Sequence, residues 1–410
     1  ERLLAAYQAR VDDMAKAISD EMGAPIRLAT DSQAAVGVSH IRTFIRTLKA
    51  FEFEHALDER YPNDRIVHEP IGVCGLITPW NWPMNQVTLK VVPAIAAGCT
   101  VVLKPSEIAP LSSIVFAEMM DAAGFPAGVF NMVNGDGPTV GEAMSRHPGI
   151  DMMSFTGSTR AGIAVTKAAA DTVKRVTLEL GGKSPNLVFA DSDVEAAVVR
   201  GLDHCFENTG QSCNAPTRML VERPVYERAV EIAAAHTKTV RVGNPAEDGD
   251  HIGPVVSQTQ FDKVQGLIDI AIKEGARLIA GGPGRPEGFN RGYYVRPTVF
   301  ADVSNDMTIA REEVFGPVLT MIPFETEEEA IEIANDTPYG LSSYVQTGDP
   351  ERARRVARQL RAGMVQMNGA SRAPGSPFGG YKQSGLGREG GKYGFEDFLE
   401  IKAVAGWPQG

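Results

Sequence analysis

The feature that most constrains this chain is a regular alternation of short apolar runs with helical stretches, which begins at Ile71. IGVCGLIT reads as a buried strand, MNQVTLKVVPAIAAG as a helix, TVVLKP as a strand and LSSIVFAEMMDAAG as a helix. VFNMVNG, MMSFTGS and RVTLEL are further strands, separated by a short helix from Pro138 and by RAGIAVTKAAADT. Strands that alternate with helices are joined by right-handed crossovers into a parallel sheet, so an α/β fold with a Rossmann-like domain is expected. A second series runs from Asn186 to Asn368, with NLVFA, a long helix to Glu207, RMLVE, more helices, then PVLTMIPF, LSSYVQT and MVQMN as strands. Ligands of such sheets sit beyond the carboxyl ends of the strands. Chemistry is therefore expected at TPWNWP, KPSE and FTGS.

Ahead of the first strand, two helical segments break at Pro25, and a charged stretch (FEFEHALDERYPNDRIVHEP) follows. The chain opens without Met inside a helical pattern, so its N-terminus reads as truncated. At 410 residues, two or three domains are expected. A net charge of -11 argues against a nucleic-acid partner. The longest apolar run, Val91 to Leu103, contains Pro93 and is shorter than the roughly 18 residues of a membrane span. No membrane partner and no metal site are expected. Four cysteines without disulfide density fit a reducing cytosol.

Of those cysteines, Cys74, Cys99 and Cys205 sit among apolar residues, where a thiol is a small filler. Cys213 stands in FENTGQSCNAPTRMLVE, among Gly, Gln, Ser and Asn. That setting suits a thiolate that meets a substrate, and equally an inert thiol at a core edge. Two phosphate-binding patterns fail on context. GLGREG (Gly385, Gly387, Gly390) has too little chain after it to build a βαβ unit. LELGGKSP ends like a GK[ST] loop, but Thr177 stands where that loop needs Gly.

PWNWP, KPSE, FTGST, LELGG, GQSC, EEVFGP and PFGGYKQSG remain, in that order along the chain. Together they resemble the NAD(P)-dependent aldehyde dehydrogenase superfamily, over essentially the whole length. The resemblance implies a dinucleotide-binding domain from 1–52 and 71–180, a catalytic domain from 181–390, and a small β oligomerisation arm from 53–70 and 391–410. Cys213 resembles the nucleophile, whose thiolate adds to an electron-poor carbonyl so that hydride leaves a tetrahedral alkoxide and a hydrolysable thioester. Asn81 matches the side-chain donor to that alkoxide, alongside the Cys213 backbone N–H. Glu179, an expensive carboxylate in an apolar strand and 34 residues before Cys213, matches the general base, with partial burial raising its pKa. Glu389 resembles a carboxylate that carries protons away from it.

For the cofactor, the resemblance implies Thr78, Pro79 and Trp80 on one loop, and Lys104, Ser106 and Glu107 around the adenosine ribose. Gly137, Phe155, Thr156, Gly157 and Ser158 follow, the last two as a pyrophosphate anchor at a helix start. Leu180, Gly181, Glu313 and Phe315 complete the set around the nicotinamide end. Glu107 favours NAD, because its charge repels a 2′-phosphate; Arg160 leaves NADP as the alternative. Trp82, Gln86, Leu89 and Ser212, with Asn214, Ser371, Arg372 and Phe378, match the substrate funnel. Arg372 points to a carboxylate-bearing semialdehyde. The expected partners are a small aldehyde and further copies of the chain, as a homodimer or homotetramer. The expected activity is oxidation of an aldehyde to a free acid. A coenzyme A-acylating enzyme is the runner-up, opposed by Glu179, and a silent binding homologue is opposed by the intact site. A cysteine hydrolase lacks a His partner motif for Cys213.

Overall fold

Parallel pairing dominates two sheets that stand side by side along the sequence. In the computed structural model, which describes residues 1–408, the first sheet has the order Gly385–Leu386, Arg175–Glu179, Met152–Thr156, Val73–Ile77, Thr100–Lys104 and Phe130–Met132. All of these pair in parallel except the Gly385–Leu386 edge. Register places the carboxyl ends together: Ile77 lies opposite Lys104 and Phe155, and Thr156 lies opposite Glu179. The sites expected after three strands therefore share one edge.

The second sheet runs Arg277–Ala280, Thr298–Ala301, Val318–Phe324, Arg218–Glu222, Pro185–Val188, Ser342–Gln346 and Met364–Met367. Its outermost pair, Arg277–Ala280 with Thr298–Ala301, is antiparallel. Neither of those two strands is expected from the sequence; each has four residues, and the first is half exposed, so no apolar alternation marks it. A third, antiparallel sheet joins Glu54–Ala56, Arg65–Pro70 and Leu399–Val404.

The helical start also differs in detail. One expected segment before Pro25 is two helices, Arg2–Ala9 and Val11–Met22, interrupted at Arg10, whose φ of -130 is not helical. After Gly23 in the left-handed conformation, the chain makes a π-helical stretch, Ala29–Ala34, and enters the helix Ala35–Ala50. The buried Tyr7 hydroxyl donates to the Ala34 carbonyl at 2.9 Å and lies against Gly37, where a Cβ would come within 2.4 Å of its ring. Local side-chain packing thus fixes a wide helical turn, of the kind that commonly marks a functional segment.

The glycines of GLGREG serve the fold. At Gly385 (φ +136) a Cβ would sit 2.0 Å from the Leu178 carbonyl, so only glycine lets this edge strand pair with the strand ending at Glu179. Among the described residues, no helix is long and apolar enough to cross a membrane.

Candidate active site

Glu179 is the last residue of the strand Arg175–Glu179 and is 2% exposed, more deeply buried than the expected partial burial. Burial pushes its carboxyl well above the ordinary 4.5, and the charge of Glu389 adds to the rise; the Cys213 thiol and Lys90 oppose it. Among the described residues, neither Glu179 oxygen has a conventionally directed hydrogen bond. The Cys213 thiol is nonetheless close enough to interact with the carboxylate, and burial followed by the Glu179 charge pushes that thiol up in turn. Two buried anions side by side are costly. Burial and their mutual charge thus disfavour ionising Cys213 and Glu179 together.

Cys213 follows a loop with unusual backbone. Asn208 (φ 52), Thr209 (φ 59) and Gly210 (φ 72) are consecutive left-handed residues. A Cβ on Gly210 would come within 2.1 Å of the Gly316 carbonyl, and one on Gly182 within 2.3 Å of the Cys213 carbonyl. Glycine at both positions lets LELGG and EEVFGP close around Cys213. Asn81, 3% exposed, donates Nδ2 to the Gln211 carbonyl at 3.0 Å, which ties PWNWP to the residues just before Cys213. Trp82 Nε1 donates to Ser212 Oγ at 2.8 Å across the same junction.

Behind Glu179, the ion pair of Glu389 and Lys90 is almost sealed, with Lys90 side-chain exposure of 1%. Lys90 is absent from the sequence-derived site. Its signal was the one that exposed Glu179, a charge in the middle of an apolar stretch, here the helix Pro83–Ala96. A backbone bridge between Phe378 and Glu389 holds the carboxylate in place, at 2.8 and 2.7 Å.

At the carboxyl edge of the first sheet, Thr78 N donates to the Lys104 carbonyl at 3.1 Å. Lys104 Nζ, 3% exposed, donates to the carbonyls of Pro105 and Gly135 and reaches Glu107 at 3.4 Å, while the Glu107 side chain stays open. Ser106 Oγ accepts from Ile108 N at 3.3 Å and shapes that turn. Gly137 opens a short π-helical stretch, and a Cβ there would meet nothing within 4 Å. Ser158 caps the helix Thr159–Ala169 by accepting from Ala161 N at 3.3 Å, and Gly157 N donates to the Glu179 carbonyl at 3.1 Å. The side chains of Phe155 and Leu180 pack into the sheet's apolar cluster with Ile77 and Val165. Thr156 Oγ1 is buried and, among the described residues, without a partner.

Glu313 accepts from Gly182 N at 2.9 Å, and burial raises its pKa. Phe315 has a left-handed φ of 57, a strained state for an aromatic residue, and meets Trp80 edge-on at 5.4 Å between ring centroids. Pro79 is half-buried beside Trp80. Ser384, also not anticipated, stitches the site: its Oγ donates to the Gly181 carbonyl at 2.6 Å and accepts from Gly340 N at 2.9 Å.

Of the funnel residues, Gln86 and Leu89 are buried on the helix Pro83–Ala96. Asn214 exchanges hydrogen bonds with Tyr344, whose hydroxyl donates to the Asn214 carbonyl at 2.8 Å. The Arg372 side chain is exposed, and its guanidinium lies 4.7 Å over the Phe378 ring. Ser371 lines a cavity of about 870 Å³ with Glu207, Asn208 and Tyr344; Cys213 is not part of that wall.

A model of the aldehyde dehydrogenase family matches residues 1–404. The chain belongs to this family. It is 54% identical over 408 residues to a 3-succinoylsemialdehyde-pyridine dehydrogenase of Pseudomonas sp, covering 99% of this chain and 85% of the relative. An aldehyde dehydrogenase crystal structure from Bartonella henselae superposes with a TM-score of 0.98 at 57% identity, covering 99% of this chain and 85% of that one. A Pseudomonas syringae aldehyde dehydrogenase mutant, solved in complex with NAD+ and octanal, gives 0.97 at 51% identity, covering 100% and 84%. The expected α/β architecture and enzyme class both hold for this aldehyde dehydrogenase.

Proposed function

We propose that this enzyme oxidises an aldehyde to its acid with NAD through an acyl group carried on Cys213. The observation that supports this most is the meeting of one nucleophilic side chain with one buried, high-pKa carboxylate, Cys213 with Glu179. Glu179 takes the thiol proton, sulfur bonds to the carbonyl carbon, and the carbonyl π pair moves onto oxygen. Asn81 Nδ2 and the Cys213 backbone N–H receive that oxyanion. A nicotinamide held by Glu313 and Phe315 would accept the hydride that the tetrahedral carbon loses as its oxygen re-forms the carbonyl, now that of a thioester. Glu179 releases the thiol proton toward Glu389 and, ionised again, takes a proton from water as the water oxygen adds to the thioester carbon; the carbonyl then re-forms and sulfur leaves as the acid is produced. Glu389 and Lys90 continue the line along which that proton departs.

The residues fit a dinucleotide. Thr156 offers an unpartnered hydroxyl at the sheet edge, among the described residues, and Gly181 is a position where a Cβ would come within 2.6 Å of the Glu313 carboxylate. Lys104 and Glu107 would hold the adenosine ribose, Gly157 and Ser158 the phosphates, and Glu313 and Phe315 the nicotinamide end. The open Glu107 carboxylate favours NAD over its 2′-phosphorylated form, and NAD+ is bound in the Pseudomonas syringae structure.

For substrate, Arg372 favours an aldehyde with a distal carboxylate. Among the described residues no Asp or Glu is ion-paired with it, and it lies within electrostatic reach of Cys213. A semialdehyde figures in the name of the Pseudomonas sp relative, whereas the Pseudomonas syringae enzyme was solved with octanal, a neutral aldehyde. Arg372→Ala is expected to lower kcat/KM about 10-fold or more on a carboxylated semialdehyde, and far less on a neutral aldehyde of equal length. Equal losses on both remove the assignment.

The three-stranded sheet supports assembly into a homodimer or homotetramer: its edge strand Leu399–Val404 leaves Ile401 70% exposed. Four free thiols fit a reducing cytoplasm. The whole reading is tested with an aldehyde panel, followed by formation of reduced NAD and of reduced NADP, against Cys213→Ala. Turnover with NAD that vanishes in the variant supports it; turnover that survives the substitution overturns it.

A further inference from the structure

We infer that Gln33 and Asn208 are positioning residues that hold the oxyanion donor Asn81 in register with Cys213. The inference rests on the proposed role of Asn81. Three segments far apart in sequence meet here through side-chain amides that are 3% exposed or less. Gln33, on the π-helical turn Ala29–Ala34, donates Nε2 to Asn208 Oδ1 at 2.9 Å and leans on the Asn81 carbonyl at 3.5 Å. Asn208 donates Nδ2 to that same Asn81 carbonyl at 2.8 Å, and to the Gln211 carbonyl at 3.2 Å. Gln211 closes the ring, donating Nε2 to the Asn208 carbonyl at 3.0 Å and accepting from Val256 N at 2.8 Å.

Asn81 is thus gripped from both ends. Its carbonyl receives the two outer amides, while its own Nδ2 donates to the Gln211 carbonyl, two residues from the nucleophile. One of the two Nδ2 hydrogens is committed there, which fixes the plane of the amide and so the direction of the other. A donor that waits in position needs no reorganisation when the alkoxide forms, and that is where its catalytic value lies.

The backbone supports the same reading. Asn208 keeps a left-handed φ of 52, a state that Asn tolerates better than most residues and that surrounding bonds must hold. Thr209 holds it from the other side, donating Oγ1 to the Gly253 carbonyl at 3.0 Å. Fold stability alone explains neither a strained loop nor a widened helical turn whose amide side chains converge on one carbonyl.

The test measures the first-turnover burst of reduced NAD in Gln33→Met, which keeps length and removes the amide, and in Asn208→Asp, which keeps shape and turns a donor into an acceptor. Either variant is expected to slow the burst about 10 to 100-fold, the scale of a misplaced catalytic group. Alkylation of Cys213 by iodoacetamide, which forms no oxyanion, is expected to keep its rate within about twofold. In an Asn81→Ala background the same substitutions are expected to cost less than about twofold, since the group they position is gone. NAD binding, read by fluorescence, checks that each variant is folded, and the second variant serves if the first is not. An unchanged burst, a parallel loss of alkylation, or a full loss in the Asn81→Ala background overturns the positioning role. If Asn81→Ala itself leaves the burst unchanged, the oxyanion assignment falls first, and the two failures are told apart.

Discussion

Cys205 and Cys213 stand eight residues apart, one near the end of the helix Val194–Phe206 and the other in the loop after it. Burial raises both thiols, Cys205 to about 12. Protonation state therefore does not distinguish them. Their neighbours do. Cys205 packs against Leu202, Phe206 and Leu319, and its sulfur faces the Val318 carbonyl at 3.7 Å. Cys213 meets a carboxylate whose own pKa is raised, beside a clamped amide and glycines that keep the backbone clear. A thiol can serve as a nucleophile where a substrate can reach it beside a base that takes its proton; Cys205 is fully buried near the Lys183 amine, whereas Cys213 is partly exposed beside Glu179.

The sharpest way to break this comparison is to remove each sulfur in turn. Cys213→Ala is expected to lower kcat/KM by about 10,000-fold or more, as loss of a covalent nucleophile does. Comparable activity in the two enzymes contradicts the assignment. Next in size is the loss of the Glu179 carboxylate. Glu179→Gln is expected to lower steady turnover about 100 to 10,000-fold while keeping a burst of reduced NAD, measured by rapid mixing. Loss of burst and steady rate together shows that its main task lies before hydride loss.

The same carboxyl gives a smaller effect on stability. Its folded pKa lies above the 4.5 of the unfolded chain, so the folded state binds the proton more tightly. Stability from this group is full below about pH 4.5 and is lost as pH rises through the raised pKa. Glu179→Gln removes the loss. Its melting temperature is expected to exceed that of the parent near pH 8 and to match it near pH 4; the reverse order denies that the carboxyl is buried with a raised pKa. Smallest is Cys205→Ala, expected to keep kcat within about twofold and to cost about 1 to 2 kcal/mol in denaturant unfolding. A large loss of kcat there blurs the contrast between the two thiols.

Strands with long apolar runs were legible in the sequence, and RMLVE matches its strand Arg218–Glu222 residue for residue. Arg277–Ala280 and Thr298–Ala301 were not, because four-residue strands flanking a Gly and Pro loop leave no periodicity to detect. The break at Arg10 carried neither Gly nor Pro as a sign. Within the site, local sequence marked Cys213 and Glu179 as unusual, a thiol among polar residues and a carboxylate in an apolar strand, while the roles proposed for them came from the family resemblance. Lys90 violates its surroundings just as clearly, inside an apolar helix. Gln33 and Asn208 could not be read so: their meaning lies in a contact between residues 175 positions apart, and neither is unusual where it stands. Phe155 and Leu180 fell inside legible motifs, yet their side chains turn into the core, since strand motifs fix position without fixing which face carries the chemistry.

The most direct measurement is mass spectrometry of Glu179→Gln quenched shortly after mixing with an aldehyde and NAD. An acyl group on the peptide containing Cys213, in amount equal to the burst of reduced NAD, is the predicted result. Reduced NAD formed with that peptide unmodified, or with the acyl group on another residue, contradicts the account.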